Sequence, residues 1–139
     1  SSFDTINLVT AIHRFAKAFQ SDWRQLQGDS RSRTLIEQII EQIKTNDDFD
    51  ERALATVVWA FAKLRIREPD FFDAVAAQAT LRADNFKSQD LSITVWAFAT
   101  AGVDAPGLFR AVAATATPRL NEFTEQQLSS TVWAFAKAE

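Results

Sequence analysis

One short string occurs three times at a fixed interval. Val58-Trp59-Ala60-Phe61-Ala62-Lys63, Val95-Trp96-Ala97-Phe98-Ala99-Thr100 and Val132-Trp133-Ala134-Phe135-Ala136-Lys137 nearly coincide, and their tryptophans stand 37 residues apart. A period of this size signals a repeat architecture, in which each copy is one supersecondary unit that buries its apolar face against its neighbours. The match extends in both directions. Phe49, Phe86 and Phe123 precede the tryptophans, as do Leu54, Leu91 and Leu128, while downstream Pro69 aligns with Pro106 and Phe72 with Phe109. Each copy therefore holds two apolar stretches separated by a proline-marked turn. A degenerate first copy begins at Phe3-Asp4, continues through Phe15-Ala16-Lys17, and puts His13 in the tryptophan column at a spacing of 46. The extra residues fall within 19–33, a polar stretch containing Gly28 that reads as a long inter-helix loop.

Both halves of the repeat have helical spacing. Leu91, Val95, Phe98 and Ala99 fall on one helical face with Trp96 at its border, and Gln89, Ile93, Ala97 and Thr100 lie opposite. Thr124 with Gln127 reads as a capping box, Asp4, Asp50 and Ser88 as N-caps, and Gly102 as a stop signal. Pro69 and Pro106 suit the first turn of a second helix, whose apolar positions are Phe72, Val75, Ala76 and Ala79, or Phe109, Val112, Ala113 and Ala116. Leu35, Ile36, Ile39, Ile40 and Ile43 play this part in the first copy, and Pro118 should end or kink the last such helix.

The expected fold is all-α: an α-solenoid of stacked antiparallel helical hairpins with a 37-residue repeat. It forms one domain over 1–139, with repeats at 3–48, 49–85 and 86–122 and the first helix of a fourth at 123–139. Because the chain begins at Ser1 and stops inside a helical pattern, it reads as a piece of a longer solenoid. Trp59, Phe61, Trp96, Phe98, Trp133 and Phe135 are the expected structural core, flanked by small alanines that let helices approach. On that reading Trp96→Ala costs about 3–5 kcal/mol.

Composition narrows the chemistry. Apolar residues make up 47%, with only 3 Gly and 3 Pro, which argues against disorder and against an all-β fold. No cysteine is present and His13 is the single histidine, so thiolate nucleophiles and Cys or His metal clusters are excluded. The longest uncharged run, Leu91 to Val103, is 13 residues, short of the roughly 20 that span a bilayer. No Gly-rich phosphate loop or paired catalytic carboxylates occur, so no enzyme, cofactor, metal or small-molecule substrate is expected. The acidic run around Asp47 to Glu51 complements a helix start rather than binding a cation. The net charge of −3 is unlike the basic excess usual in nucleic-acid binders.

The string Leu128-Ser129-Ser130-Thr131-Val132-Trp133-Ala134-Phe135-Ala136-Lys137, recurring at 37 residues, resembles the heptatricopeptide repeats of proteins that often carry a RAP domain. It is similar also to the octotricopeptide repeats of algal organelle factors. The resemblance implies a helical-hairpin solenoid in the mitochondrion or chloroplast that binds RNA during processing, stabilisation or translation, or is built into an organellar ribosome. Many such repeats carry Asn three residues before the tryptophan; here that column holds Thr10, Thr56, Ile93 and Ser130, and no RAP domain is visible.

In a solenoid the first helices line one continuous surface. The candidate RNA-contacting residues on it are Thr10, Arg14 and Lys17, then Arg52, Thr56 and Lys63, then Gln89, Ile93 and Thr100, then Gln126, Ser130 and Lys137. A recurring lysine column could meet successive phosphates of single-stranded or ribosomal RNA. The plainer reading is a solvated face with favourable helix C-terminal charge. Trp23, Arg24, Arg31 and Arg33 in the long loop are candidate partner anchors, against the plainer reading of a solvated loop. Two functions fit: an organellar RNA-binding repeat protein, or a non-catalytic structural subunit or adaptor that binds protein in a large organellar complex.

Overall fold

The computed structural model describes residues 9–14, 30–45 and 49–138. These residues form helices and no strand occurs among them. Helix α1 covers 9–14. It is followed by α2 (Ser30–Thr45), α3 (Glu51–Leu64), α4 (Pro69–Leu81), α5 (Ser88–Ala101), α6 (Pro106–Ala116) and α7 (Glu125–Ala138), with 3₁₀ turns at Ala83–Asn85 and Thr117–Glu122. None of the described helices is long and apolar enough to cross a membrane.

Local chemistry sets the ends of these helices. The Asp50 carboxylate accepts from the Ala53 N–H at 2.9 Å and caps α3. Before α7 the Thr124 hydroxyl accepts from the Gln127 N–H at 3.1 Å, and the Gln127 side chain accepts from the Thr124 N–H at 3.0 Å, a reciprocal capping box. Pro69 and Pro106 occupy the first turns of α4 and α6. Beyond α5, Gly102 takes the left-handed conformation (φ 71°, ψ 29°), and the N–H groups of Gly102 and Val103 bond the carbonyls of Ala99 and Phe98. Beyond α3 the same geometry recurs at Arg65 (φ 60°, ψ 32°), where Arg65 and Ile66 bond Ala62 and Phe61. Both ends are Schellman motifs, one of them built without glycine. Helix α6 stops at Ala116 and the chain passes through Pro118 in the 3₁₀ turn.

The helices lie in two layers. α3 packs on α5 and α5 on α7, while behind them α2 packs on α4 and α4 on α6. The turns fold α3 onto α4 and α5 onto α6. Equivalent helices begin 37 residues apart: Glu51, Ser88 and Glu125 in the first layer, Pro69 and Pro106 in the second. One apolar cluster runs from Ile12 to Ala134. Its aromatic part links the layers: Phe61 stacks on Phe71 with ring centres 3.6 Å apart, Phe72 meets Phe98 edge-on at 5.3 Å, and Phe109 meets Phe135 at 5.0 Å. Ala60, Ala97 and Ala134 are fully buried, small side chains that let first-layer helices sit close together.

Half-buried polar ties hold the repeats together. Arg82 donates to the Phe49 carbonyl at 3.0 Å and pairs with Glu51 at 3.1 Å; one period later Arg119 donates to the Phe86 carbonyl at 3.0 Å. Ser92 on α5 reaches across to the Gln127 carbonyl of α7 at 3.1 Å.

Three expectations need correction. Helix α2 begins at Ser30, so Arg31 and Arg33 belong to a helix and not to the loop expected over 19–33; the side chains of its first turn are polar, as a loop's would be. Ser88 is the first residue of α5, whose N-cap is Lys87, and the Ser88 hydroxyl instead donates to the Glu122 carbonyl at 3.2 Å. Trp133, expected in the core, is 45% exposed, because no described element covers that side of α7. Asp4 lies outside the described residues, as does most of the 19–33 stretch.

Candidate functional site

Helix α5 is enclosed on three sides, by α3, α7 and α6. Apart from Ser88, all its residues are buried except Gln89, Ile93, Trp96 and Thr100, spaced as one line along the remaining side. Helix α3 repeats this: apart from Glu51, only Arg52, Thr56, Trp59 and Lys63 escape burial. On α7 the same register positions are Gln126, Ser130, Trp133 and Lys137. Thr10 and His13 of α1 join the line, Thr10 exposed and His13 half-buried. The candidate residues of the three main copies thus share one open seam, and the tryptophans lie within it.

Trp59 and Trp96 are half-buried, with part of each indole against the core and part in the seam. Lys63 Nζ sits 5.9 Å from the Trp59 ring centre and 5.2 Å from that of Trp96, so it bridges two successive tryptophans. Lys137 Nζ lies 5.7 Å from the Trp133 ring. The His13 ring stands 5.1 Å from Trp59, its plane tilted by 31°. The seam is therefore a row of ring faces with ammonium groups laid on them, a cation–π arrangement. Sequence spacing alone separates the two residue types, making the lysines a free phosphate-contacting column and the tryptophans core; the structure joins them in one surface. The cause lies in the layer. With α5 flanked on both sides, a large ring at the border of the apolar face is the one that reaches the opening.

The remaining candidates are placed less favourably. Arg52 pairs with Asp90 of α5 at 3.0 Å, and the Asp90 side chain is only 6% exposed, so this guanidinium neutralises a buried carboxylate. Thr56 donates its hydroxyl to the Arg52 carbonyl at 2.8 Å. Arg14 is exposed but falls in the register of the buried Ala60 and Ala97, outside the seam. Arg33 pairs with Glu37 and Glu68, the latter joining α2 to the residue before α4. Lys17, Trp23 and Arg24 lie outside the described residues, as does the side chain of Arg31. No group of three His, Cys, Asp or Glu residues that could hold a metal occurs among the described residues.

The seam can do two things chemically: present flat aromatic faces, and offer cations beside them. Stacking of a base on an aromatic side chain contributes about 1–3 kcal/mol, against about 0.5–1 kcal/mol for an exposed cation–π contact. A base can therefore displace the ammonium from the indole, leaving lysine within reach of the adjoining phosphate.

Set beside known families, the chain matches over residues 1–139 the model described as RESC6, RNA-editing substrate-binding complex 6 protein. No curated protein matches it.

Proposed function

The chain belongs to the RNA-editing substrate-binding complex 6 protein family, and from that membership we propose that it is a non-catalytic helical subunit of an RNA-editing complex, holding single-stranded RNA along the open seam of α1, α3, α5 and α7. In this reading the two layers are a stretch of α-solenoid with a 37-residue repeat, akin to heptatricopeptide and octotricopeptide arrays. The compartment that goes with it is the mitochondrion rather than the chloroplast. The observation that carries the proposal is Lys63 lying between Trp59 and Trp96 on the one line of α3 and α5 that packing leaves open. The overall charge of −3 does not oppose it, since Asp90 is already paired by Arg52 and the seam itself carries Lys63 and Lys137.

The test is fluorescence anisotropy of a labelled single-stranded RNA with the full chain at several salt concentrations. Wild type should bind and weaken as salt rises. The double variant Lys63→Glu, Lys137→Glu should bind at least several-fold less tightly. Its log–log salt slope should be shallower by about 1.4, or roughly 0.7 for each phosphate that a lysine no longer neutralises. Absence of binding at low salt, or an unchanged slope in the variant, would reject the reading.

A second reading has its own observation. Val58 and Val95 are fully buried, whereas the equivalent Val132 is 66% exposed beside Trp133 on α7. In that reading α7 packs against a protein subunit of the complex. The charge-reversal variant would then co-purify with the complex undiminished while RNA binding by the isolated chain is absent from the start.

A further inference from the structure

The seam ends on a cavity that the tryptophans and lysines do not account for. Thr100 takes the place that lysine holds at Lys63 and Lys137. It departs from six other threonines, and from Thr115, which donates to the Asp84 carboxylate at 3.2 Å. Thr34, Thr45, Thr56, Thr94, Thr117 and Thr131 each donate their hydroxyl to the carbonyl four residues back, at 2.6 to 3.0 Å. The Thr100 hydroxyl oxygen is buried and has no partner among the described residues. Leaving such a group unsatisfied costs free energy, so its presence calls for an explanation.

Thr100 lines a cavity of about 290 Å³ at the C-terminal ends of α3 and α5, together with Ala62, Arg65, Arg67 and Ala101, its hydroxyl oxygen turned beneath the surface. Neither arginine side chain forms an ion pair or hydrogen bond with a described residue. Arg65 holds the left-handed conformation that glycine holds at the equivalent Gly102. A side chain kept at a position where glycine is the default suggests a use for it. Arg67 likewise has no counterpart, since Asp104 stands in its place one period on. The arginine pair at the end of α3 is thus not repeated at the end of α5.

The electrostatics select the ligand. Two helix C-termini bring roughly −0.5 charge each, which two guanidinium groups outweigh by about one unit. Guanidinium forks match phosphate oxygens in pairs, and the Thr100 hydroxyl, buried as it stands, becomes a third donor once the side chain turns about its Cα–Cβ bond. Thr100 lies one helical turn beyond Trp96 on the same face, about 6 Å along the seam. We propose that Arg65, Arg67 and Thr100 form a phosphate site, taking one phosphodiester of a strand whose bases lie on Trp59 and Trp96. The proposal rests on the RNA reading above for the source of that phosphate, and on the cavity alone for the site.

The test compares the full chain with a triple variant, Arg65→Gly, Arg67→Gln, Thr100→Val. Glycine suits the left-handed position and valine keeps the shape of threonine, so the thermal midpoint should stay level or rise. Two probes are used: a labelled oligouridine by anisotropy, and inorganic phosphate followed through the arginine side-chain NMR signals. The variant should bind oligouridine roughly tenfold more weakly, with a salt slope shallower by about 0.7. Phosphate should shift the Arg65 and Arg67 signals in wild type. If the variant binds RNA like wild type while Trp59→Leu weakens binding, the phosphate site is overturned and the seam stands. If phosphate shifts the arginine signals and no RNA binds, the site stands with free phosphate as ligand and the RNA reading falls. If neither probe responds to the substitutions, the proposal is wrong.

Discussion

Phe98 and Trp96 stand two residues apart on α5 and meet different surroundings. Phe98 has no exposed surface and touches the edge of Phe72, whereas Trp96 keeps one side in the seam under Lys63. Removing Phe98 leaves a closed void; removing Trp96 leaves a groove that water can enter. Phe98→Ala should therefore cost about 3–5 kcal/mol in urea denaturation, Trp96→Ala about 2, and Trp133→Ala less than about 1. The half-burial of Trp96 lowers the expectation from the value of about 3–5 kcal/mol that full burial would imply. An inverted order, with Trp133 costing most, would contradict the placement of the seam. A second residue-scale expectation concerns Arg52. Its removal leaves the Asp90 carboxylate buried and unpaired, though with Arg52 itself 59% exposed the loss should be only about 1–2 kcal/mol. A double-mutant cycle with Asp90→Ala checks it: coupling near zero would mean that the pair is incidental.

At the scale of elements, the signals readable in the sequence are those acting over a few residues. Asp50, the Thr124 and Gln127 pair, Pro69, Pro106 and Gly102 each work within one helical turn, so their meaning is contained in their spacing. The start of α2 is hidden because its first turn carries polar side chains, leaving Leu35 and the isoleucines as the periodic cue. Arg82 escapes a sequence reading for a different reason. Its partner, the Phe49 carbonyl, lies 33 residues away, and nothing local to Arg82 announces the reach. The recurrence of arginine at Arg119, again 33 residues from its acceptor Phe86, is the cue that could have found it. Arg82→Ala should cost about 1–3 kcal/mol, since it leaves the carbonyl without its donor. Lysine should recover little of that, because one ammonium replaces a fork that serves both the Phe49 carbonyl and Glu51. Thermal or urea melts of the two variants measure this; full rescue by lysine would show that charge alone matters.

For the whole molecule, the repeat in sequence leads to helices at a matching interval, and their layering leaves one side of α3 and α5 open. The helices are legible because two apolar stretches per copy recur with helical spacing. The composition of the open side is not, because which border residue faces out depends on what flanks the helix, a property of the packed layer rather than of any one copy. Ultraviolet cross-linking of the chain bound to single-stranded RNA, with the attached residues mapped by mass spectrometry, tests the central claim most directly. The account predicts attachment within Arg52 to Lys63 and Gln89 to Thr100, centred on Trp59, Lys63 and Trp96. Attachment confined to α2, α4 and α6, with the seam peptides unmodified, would contradict it.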